Sequence, residues 1–95
     1  MSNPKQWEIE LTSVAERSLR KLTRDRQLLR RIDDAIRFLA EDPKPSGCKK
    51  LIGTKYDNLY RIRVGDWRIS YAIEEQEILI LILEISPRDR AYRRI

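Results

Sequence analysis

Histidine is absent from this chain of 95 residues, and cysteine occurs once, as Cys48. Without histidine there is no side chain that titrates near neutrality unperturbed, and the commonest metal ligand is missing. A single cysteine excludes an internal disulfide, and a thiol with no histidine around it cannot assemble a zinc site, so no metal or cofactor is expected. Nothing near Cys48 in the chain marks it as activated, and it reads as an inert loop thiol. Long apolar runs are missing too: the longest, Ile78 to Leu83, is far short of a membrane span. The opening Met1-Ser2-Asn3-Pro4-Lys5 holds no hydrophobic core of a signal peptide. There are no repeats and no low-complexity tracts. These absences lead to the expectation of a soluble, cytoplasmic protein with no membrane partner. A single domain over residues 1–95 is expected, since a chain this short buries little more than one sheet-plus-helix core.

What is present is positive charge, unevenly spread. The net charge is +5. Residues 1–43 carry nine basic and eight acidic side chains, and residues 44–68 carry seven basic and two acidic. Residues 69–85 then hold four acidic and no basic side chains, and residues 86–95 four basic and one acidic. Two basic segments therefore flank an acidic one. Such clustering suits a polyanionic partner, either nucleic acid or an acidic protein.

The hydropathy pattern divides the chain into elements. Trp7-Glu8-Ile9-Glu10-Leu11 alternates like a strand with one buried face. Ser13 followed by Glu16 has capping-box spacing, which predicts a helix running to about Leu22. A second helix is expected from Thr23 or Asp25, because Leu28, Leu29, Ile32, Ala35, Ile36 and Leu39 fall on one stripe. Two such helices form a hairpin that packs on a sheet. Asp42-Pro43-Lys44-Pro45-Ser46-Gly47 ends the second helix and begins a loop.

From Leu59 the period is two. Tyr60, Ile62 and Val64 alternate with Arg61 and Arg63; after Gly65-Asp66, Trp67, Ile69, Tyr71 and Ile73 alternate with Arg68, Ser70 and Ala72. Trp67 and Tyr71 read as core, and Trp7 as core or edge packing. A second turn is expected at Glu74 to Glu77. Ile78 to Ile85, apolar on both faces except at Glu84, then reads as a central strand covered on both sides, with glutamates at its ends acting against aggregation. The fold class is α+β, with strand order β-α-α-β-β-β in a small, mainly antiparallel sheet packed by the N-terminal helical hairpin. A short basic tail, Ser86 to Ile95, closes the chain.

Glycine first in a two-residue turn is the type II′ signature, and it sets the register. Val64 should pair with Trp67, Arg63 with Arg68, Ile62 with Ile69, and Arg61 with Ser70. Arg61, Arg63 and Arg68 then share one face, with Arg63 and Arg68 directly opposed. Like charges so placed destabilise a sheet by a few tenths to about 1 kcal/mol. Two readings follow. The arginines splay into water from an ordinary solvated face, or their planar forks form an anion site suited to phosphate. If the apolar strand pairs beside Trp67–Glu74, Arg88 and Tyr92 approach the same face, and an aromatic among arginines suits an unstacked base and its phosphate.

These blocks resemble the RelE/ParE superfamily of toxins across essentially the whole chain. The resemblance rests on the strand and two helices, Lys50-Leu51 with Gly53, the run from Tyr60 to Tyr71, and Ser86-Pro87-Arg88-Asp89-Arg90-Ala91-Tyr92. It implies a RelE-like fold and the toxin of a type II toxin–antitoxin pair. For the RelE branch it implies a metal-independent endoribonuclease that cuts mRNA on the ribosome and is silenced by a cognate, RelB-like antitoxin. The toxin alone would be a monomer, and its complex a hetero-oligomer able to bind operator DNA. Carried onto this sequence, the catalytic set is Arg61, Arg63, Arg68, Arg88 and Tyr92. Lys49, Lys50, Lys55, Arg90, Arg93 and Arg94 are the further RNA contacts.

The chain departs from that pattern. Many relatives have histidine or lysine where Pro87 stands, and the best-studied branch has lysines in place of Arg61 and Arg63. Arginine is never deprotonated in proteins, so neither can act as the base. Tyr92, its phenol acidified by surrounding arginines, is the expected proton acceptor. The alternatives are a ParE-type inhibitor of DNA gyrase, or a catalytically degenerate module kept for antitoxin binding.

Overall fold

Buried stripes on helix and strand have to face one another, and the computed structural model, which describes residues 6–87, brings them together along one side of a five-stranded sheet. In chain order the elements are β1 (Glu8–Leu11), α1 (Ser13–Lys21), a 3-10 turn (Leu22–Arg24), α2 (Arg26–Leu39), β2 (Lys49–Lys50), β3 (Leu59–Val64), β4 (Trp67–Glu74) and β5 (Leu79–Pro87). The strands lie in the order β1-β5-β4-β3-β2. Only β1 against β5 is parallel; the other three pairs are antiparallel. Ala15, Ile32, Ile36 and Leu39 of the helices pack on Ile62, Ile69, Tyr71, Ile80, Ile82 and Ile85 of the sheet. The α+β architecture read from the pattern is therefore the one observed.

Five local features differ from that reading. The cap of α1 is Thr12, one residue before Ser13: its Oγ1 accepts the Ala15 amide at 3.1 Å, so no box forms with Glu16. The second helix begins at the expected Asp25, whose Oδ1 accepts from the Leu28 amide at 3.2 Å. A short edge strand, β2, lies in the segment after the proline loop, where no strand was expected. Ile78 belongs to the second turn, at φ +50° and 42% exposed, because the tight reversal needs a left-handed residue there. The last strand runs through Ser86 to Pro87, into the segment assigned to the tail. Finally, β5 is central but not covered on both sides. Among the described residues the helices lie on one face only, and Leu79, Leu81 and Leu83 on the other are half-buried.

The β3–β4 hairpin follows its turn. All four expected pairs form, including Arg63 opposite Arg68. Gly65 has φ +61° and Asp66 does not share the positive sign, which is the type II′ arrangement.

The last strand carries a bulge. Ser70 pairs with Glu84 and Tyr71 with Ile82, leaving Leu83 as the extra residue. Strict alternation would send Ile85 outward once Ile82 points into the core. The extra residue resets the phase, so Ile82 and Ile85 are both buried and Glu84 turns to the outer face. The Leu83 carbonyl, removed from the ladder, accepts the Thr12 hydroxyl at 2.8 Å. One side chain thus serves both the bulge and the start of α1.

Thr12→Ala removes both bonds. Urea unfolding should show a loss of about 1–2 kcal/mol, the range for a helix cap, with an unchanged m-value.

Candidate nucleic-acid interface

The pleat decides which side chains share the outer face. Because Ile62, Ile69 and Ile85 point to the helices, their neighbours point away. The pairings then set these neighbours in two rows across the strands. One row runs Lys49, Arg61, Ser70, Glu84 from β2 to β5. The other runs Arg63, Arg68, Ser86, beside the hairpin turn. Four cations and one carboxylate occupy an area two rows deep across four strands, with two short serines among them.

Exposure distinguishes the arginines. Arg63 is exposed and Arg61 half-buried, while Arg68 keeps 8% of its surface. The Arg61 Nη1 and Arg68 Nε atoms are closed to solvent. The picture of guanidinium groups splaying into water therefore fits Arg63 alone. Burying a guanidinium costs free energy, and in return its orientation is restricted, as a phosphate-binding fork requires.

The remaining expected site residues divide. Lys49 joins the basic rows through its pairing with Arg61. Lys50 pairs with Tyr60, one position on, and leaves by the opposite face. Lys55 sits in the loop before β3, its Nζ 5.5 Å from the Tyr56 ring, at the Leu59 end of the sheet rather than beside the hairpin. Arg88, Tyr92, Arg90, Arg93 and Arg94 lie outside the described residues. Among the described residues no three of His, Cys, Asp and Glu converge as metal ligands would.

Reading along the chain took Glu84 as an interruption of an apolar run and a guard against aggregation, and did not place it among the site residues. A signal was available: the buried isoleucines step by two from Ile80 to Ile82, then by three to Ile85. Ser70 and Ser86 were missed as well, since short polar side chains carry no charge pattern.

Two clefts elsewhere suit a polyanion poorly. One of about 660 Å³, between Lys44, Tyr60 and the β4–β5 turn, is rimmed by Asp57, Glu74, Glu75 and Glu77. A smaller one of about 400 Å³ opens on the outer face between Tyr56, Leu59, Leu81 and Leu83 and is mainly apolar.

Tyr71 supports the site from behind. It is fully buried, stacks on Tyr60 at 6.1 Å between ring centroids, and donates its hydroxyl to the Pro43 carbonyl at 2.6 Å. That bond ties the proline loop to the core just before the chain enters β2, and so helps set Lys49 against Arg61. Burial, and secondarily the Cys48 thiol beside it, pushes the Tyr71 phenol well above its usual value of 10. It cannot serve as a base. Cys48 itself is part-buried against the core, beside this phenol rather than in open loop.

Comparison with known proteins bears on the family and the fold. The family model described as ParE toxin of type II toxin-antitoxin system, parDE, matches residues 9–92. A protein of Methanocaldococcus jannaschii carrying the name toxin RelE1 is 32% identical in an alignment of 68 positions, covering 68% of this chain and 73% of that one. Among solved structures, the archaeal RelE–RelB complex from Pyrococcus horikoshii OT3 contains a chain that superposes with a TM-score of 0.75 at 29% identity, covering 90% of this chain and 98% of that one. The toxin–antitoxin complex RelBE2 from Mycobacterium tuberculosis gives 0.72 at 23% identity, covering 87% and 99%, a likeness of fold.

The raised Tyr71 phenol has a consequence for stability. An unfolded tyrosine ionises near pH 10, whereas the folded one holds its proton, so its contribution is complete below that pH and is lost as pH rises through and beyond it. Denaturation between pH 9 and 11.5 should show wild-type stability falling more steeply than that of Tyr71→Phe, which should be weaker by about 1 kcal/mol at neutral pH.

Proposed function

The chain belongs to the ParE toxin family of type II toxin–antitoxin systems, within the RelE/ParE superfamily, and on that footing we propose that it is a metal-independent endoribonuclease acting on mRNA at the ribosome. The observation that carries this reading is the cationic outer face: Arg61, Arg63 and Arg68 gathered across one hairpin, with Arg68 almost closed to solvent. RNA cleavage through its own 2′-hydroxyl needs a proton acceptor, stabilisation of a phosphorane that gains negative charge, and a proton for the departing 5′-oxygen. Guanidinium groups fixed before the substrate arrives meet the second need without reorganising. Arg88 joins them in this reading. Tyr92 offers a ring for a base to stack on, and Lys49 extends the track for the RNA backbone. Lys50, Lys55, Arg90, Arg93 and Arg94 are more general phosphate contacts.

The partner that silences such a face is an antitoxin. RelB-like antitoxins accompany the relatives from P. horikoshii and M. tuberculosis. For this chain we expect an antitoxin segment lying across the arginine rows, or displacing residues 86–95, to neutralise the charge and exclude RNA.

One observation favours a second reading. The matching family model is that of the ParE toxin, and resemblance to the ParE branch implies action on DNA gyrase with no nuclease chemistry. The two readings differ in what the arginines are for, and one assay separates them. Primer extension on a defined mRNA in a reconstituted translation reaction should reveal ribosome-dependent cuts with the wild-type protein. Arg63→Ala and Arg88→Ala should each reduce them by about 10²–10³-fold, the loss typical of a single electrostatic donor. Intact mRNA, together with inhibition of gyrase supercoiling, would establish the ParE-type activity instead.

A further inference from the structure

We infer that the Glu84 carboxylate is the proton acceptor for the attacking 2′-hydroxyl, an assignment that rests on the ribonuclease reading above. Cleavage requires a base, and the side chains of the two rows leave little choice. Arg61, Arg63 and Arg68 are donors only and cannot be deprotonated. Lys49 lies at the exposed edge, and Ser70 and Ser86 are weak bases. Tyr71 points to the opposite face, and burial holds its proton in place. Glu84 is the carboxylate in these rows, and an ionised carboxylate is an acceptor at every lone pair.

Its position is built by the fold. The bulge at Leu83 brings Glu84 out of the core phase and onto the outer face, where it stands opposite Ser70 and one residue before Ser86. Bulges are a recurrent means of re-aiming a side chain beside a site. Across the row, Arg61 and Glu84 are separated by two strand spacings, about 10 Å between backbones. The residue between them is Ser70, whose side chain is short; a phosphodiester laid over it would turn its oxygens toward the guanidinium groups and its ribose toward the carboxylate. Glu84 is half-buried, which limits its exposure to solvent. A carboxylate in a polyanion-binding face also weakens binding by repulsion. That cost is the mark by which catalysis and binding are told apart below.

The step balances without a co-reactant. The 2′-hydroxyl gives its proton to the Glu84 carboxylate, and its oxygen bonds to phosphorus. The bond from phosphorus to the 5′-oxygen breaks, that oxygen leaves with the electron pair, and it takes a proton from solvent. The products are a 2′,3′-cyclic phosphate and a free 5′-hydroxyl, and the proton on Glu84 returns to solvent.

The experiment compares wild type, Glu84→Gln, Glu84→Asp and Tyr92→Phe in single-turnover cleavage of ribosome-bound mRNA. Affinity is measured in parallel with an mRNA carrying a 2′-deoxy nucleotide at the cut site. Glu84→Gln should lose about 10²–10⁴-fold in cleavage rate, the range for a general base, while binding the uncleavable RNA as tightly as wild type or more so. The acid limb of the pH–rate profile should disappear in Glu84→Gln, and Glu84→Asp should keep part of the rate. Cleavage by Glu84→Gln within twofold of wild type would overturn the assignment, most directly if Tyr92→Phe were the inactive variant. Parallel loss of cleavage and affinity would also overturn it, since a carboxylate that only orients the arginines predicts that result. A wild-type protein that cuts no RNA would instead bring down the ribonuclease reading itself, and this assignment with it.

Discussion

Two isoleucines three residues apart, Ile82 and Ile85, are both buried under the helices in a strand whose side chains should alternate. That demand forces one extra residue into β5, and much of the structure follows from it. The displaced Leu83 carbonyl needs a donor, because an unsatisfied backbone group costs about as much as a lost hydrogen bond. Thr12 supplies it at 2.8 Å and with the same oxygen caps α1. Residues 71 positions apart in the chain are thereby joined at the point where the first helix leaves the first strand. The same phase change places a carboxylate among arginines on the far side of the sheet. Core packing and the chemistry of the outer face are in this sense one geometric decision.

The outer face is arranged against stability. Arg63 opposes Arg68 at a site where like charges cost up to about 1 kcal/mol, and the burial of Arg68 adds a desolvation cost. The helix side of the sheet carries the opposing term. Ile32, Leu39, Ile69, Ile80 and Ile82 lose essentially all contact with water, and each fully buried aliphatic side chain contributes about 1.5–3 kcal/mol. A sheet with one well-packed face can hold an electrostatically unfavourable arrangement on the other. Such division is common where a binding surface is kept at the expense of stability.

Legibility in the sequence followed the length scale of the interaction. The β3–β4 register was readable because a glycine-first turn dictates it locally, and from it came the shared face of Arg61, Arg63 and Arg68. The span of α2 was readable because its apolar stripe repeats over 14 residues. The Thr12 cap was misplaced by one residue, since Ser13 is an equally good local candidate and only the distant Leu83 carbonyl decides between them. The two-residue β2 had no period to detect: it forms because Tyr71, through Pro43, and the Leu51-to-Leu59 backbone bond hold that segment against β3. Reading β5 as covered on both faces failed for a related reason. Its Leu79, Leu81 and Leu83 look like core by composition, yet both helices lie on the other side. The burial of Arg68 and the outward turn of Glu84 depend on neighbours from three strands, which no single segment encodes.

Among the described residues the last strand in the chain is an interior strand of the sheet. β5 lies between β1, the first element, and β4, and it supplies Ile80, Ile82 and Ile85 to the core. Until it has been synthesised, β1 has no neighbour to pair with, the Thr12 hydroxyl has no carbonyl to meet, and α1 has no sheet to lie on. A nascent chain lacking this strand holds helices and a hairpin but not Ile80, Ile82 and Ile85 of the core that joins them. The sheet is therefore completed only once residues 79–87 are made, and a message interrupted before residue 79 lacks the β5 part of the outer face. For a toxin, this topology withholds the finished outer face until β5 has been made.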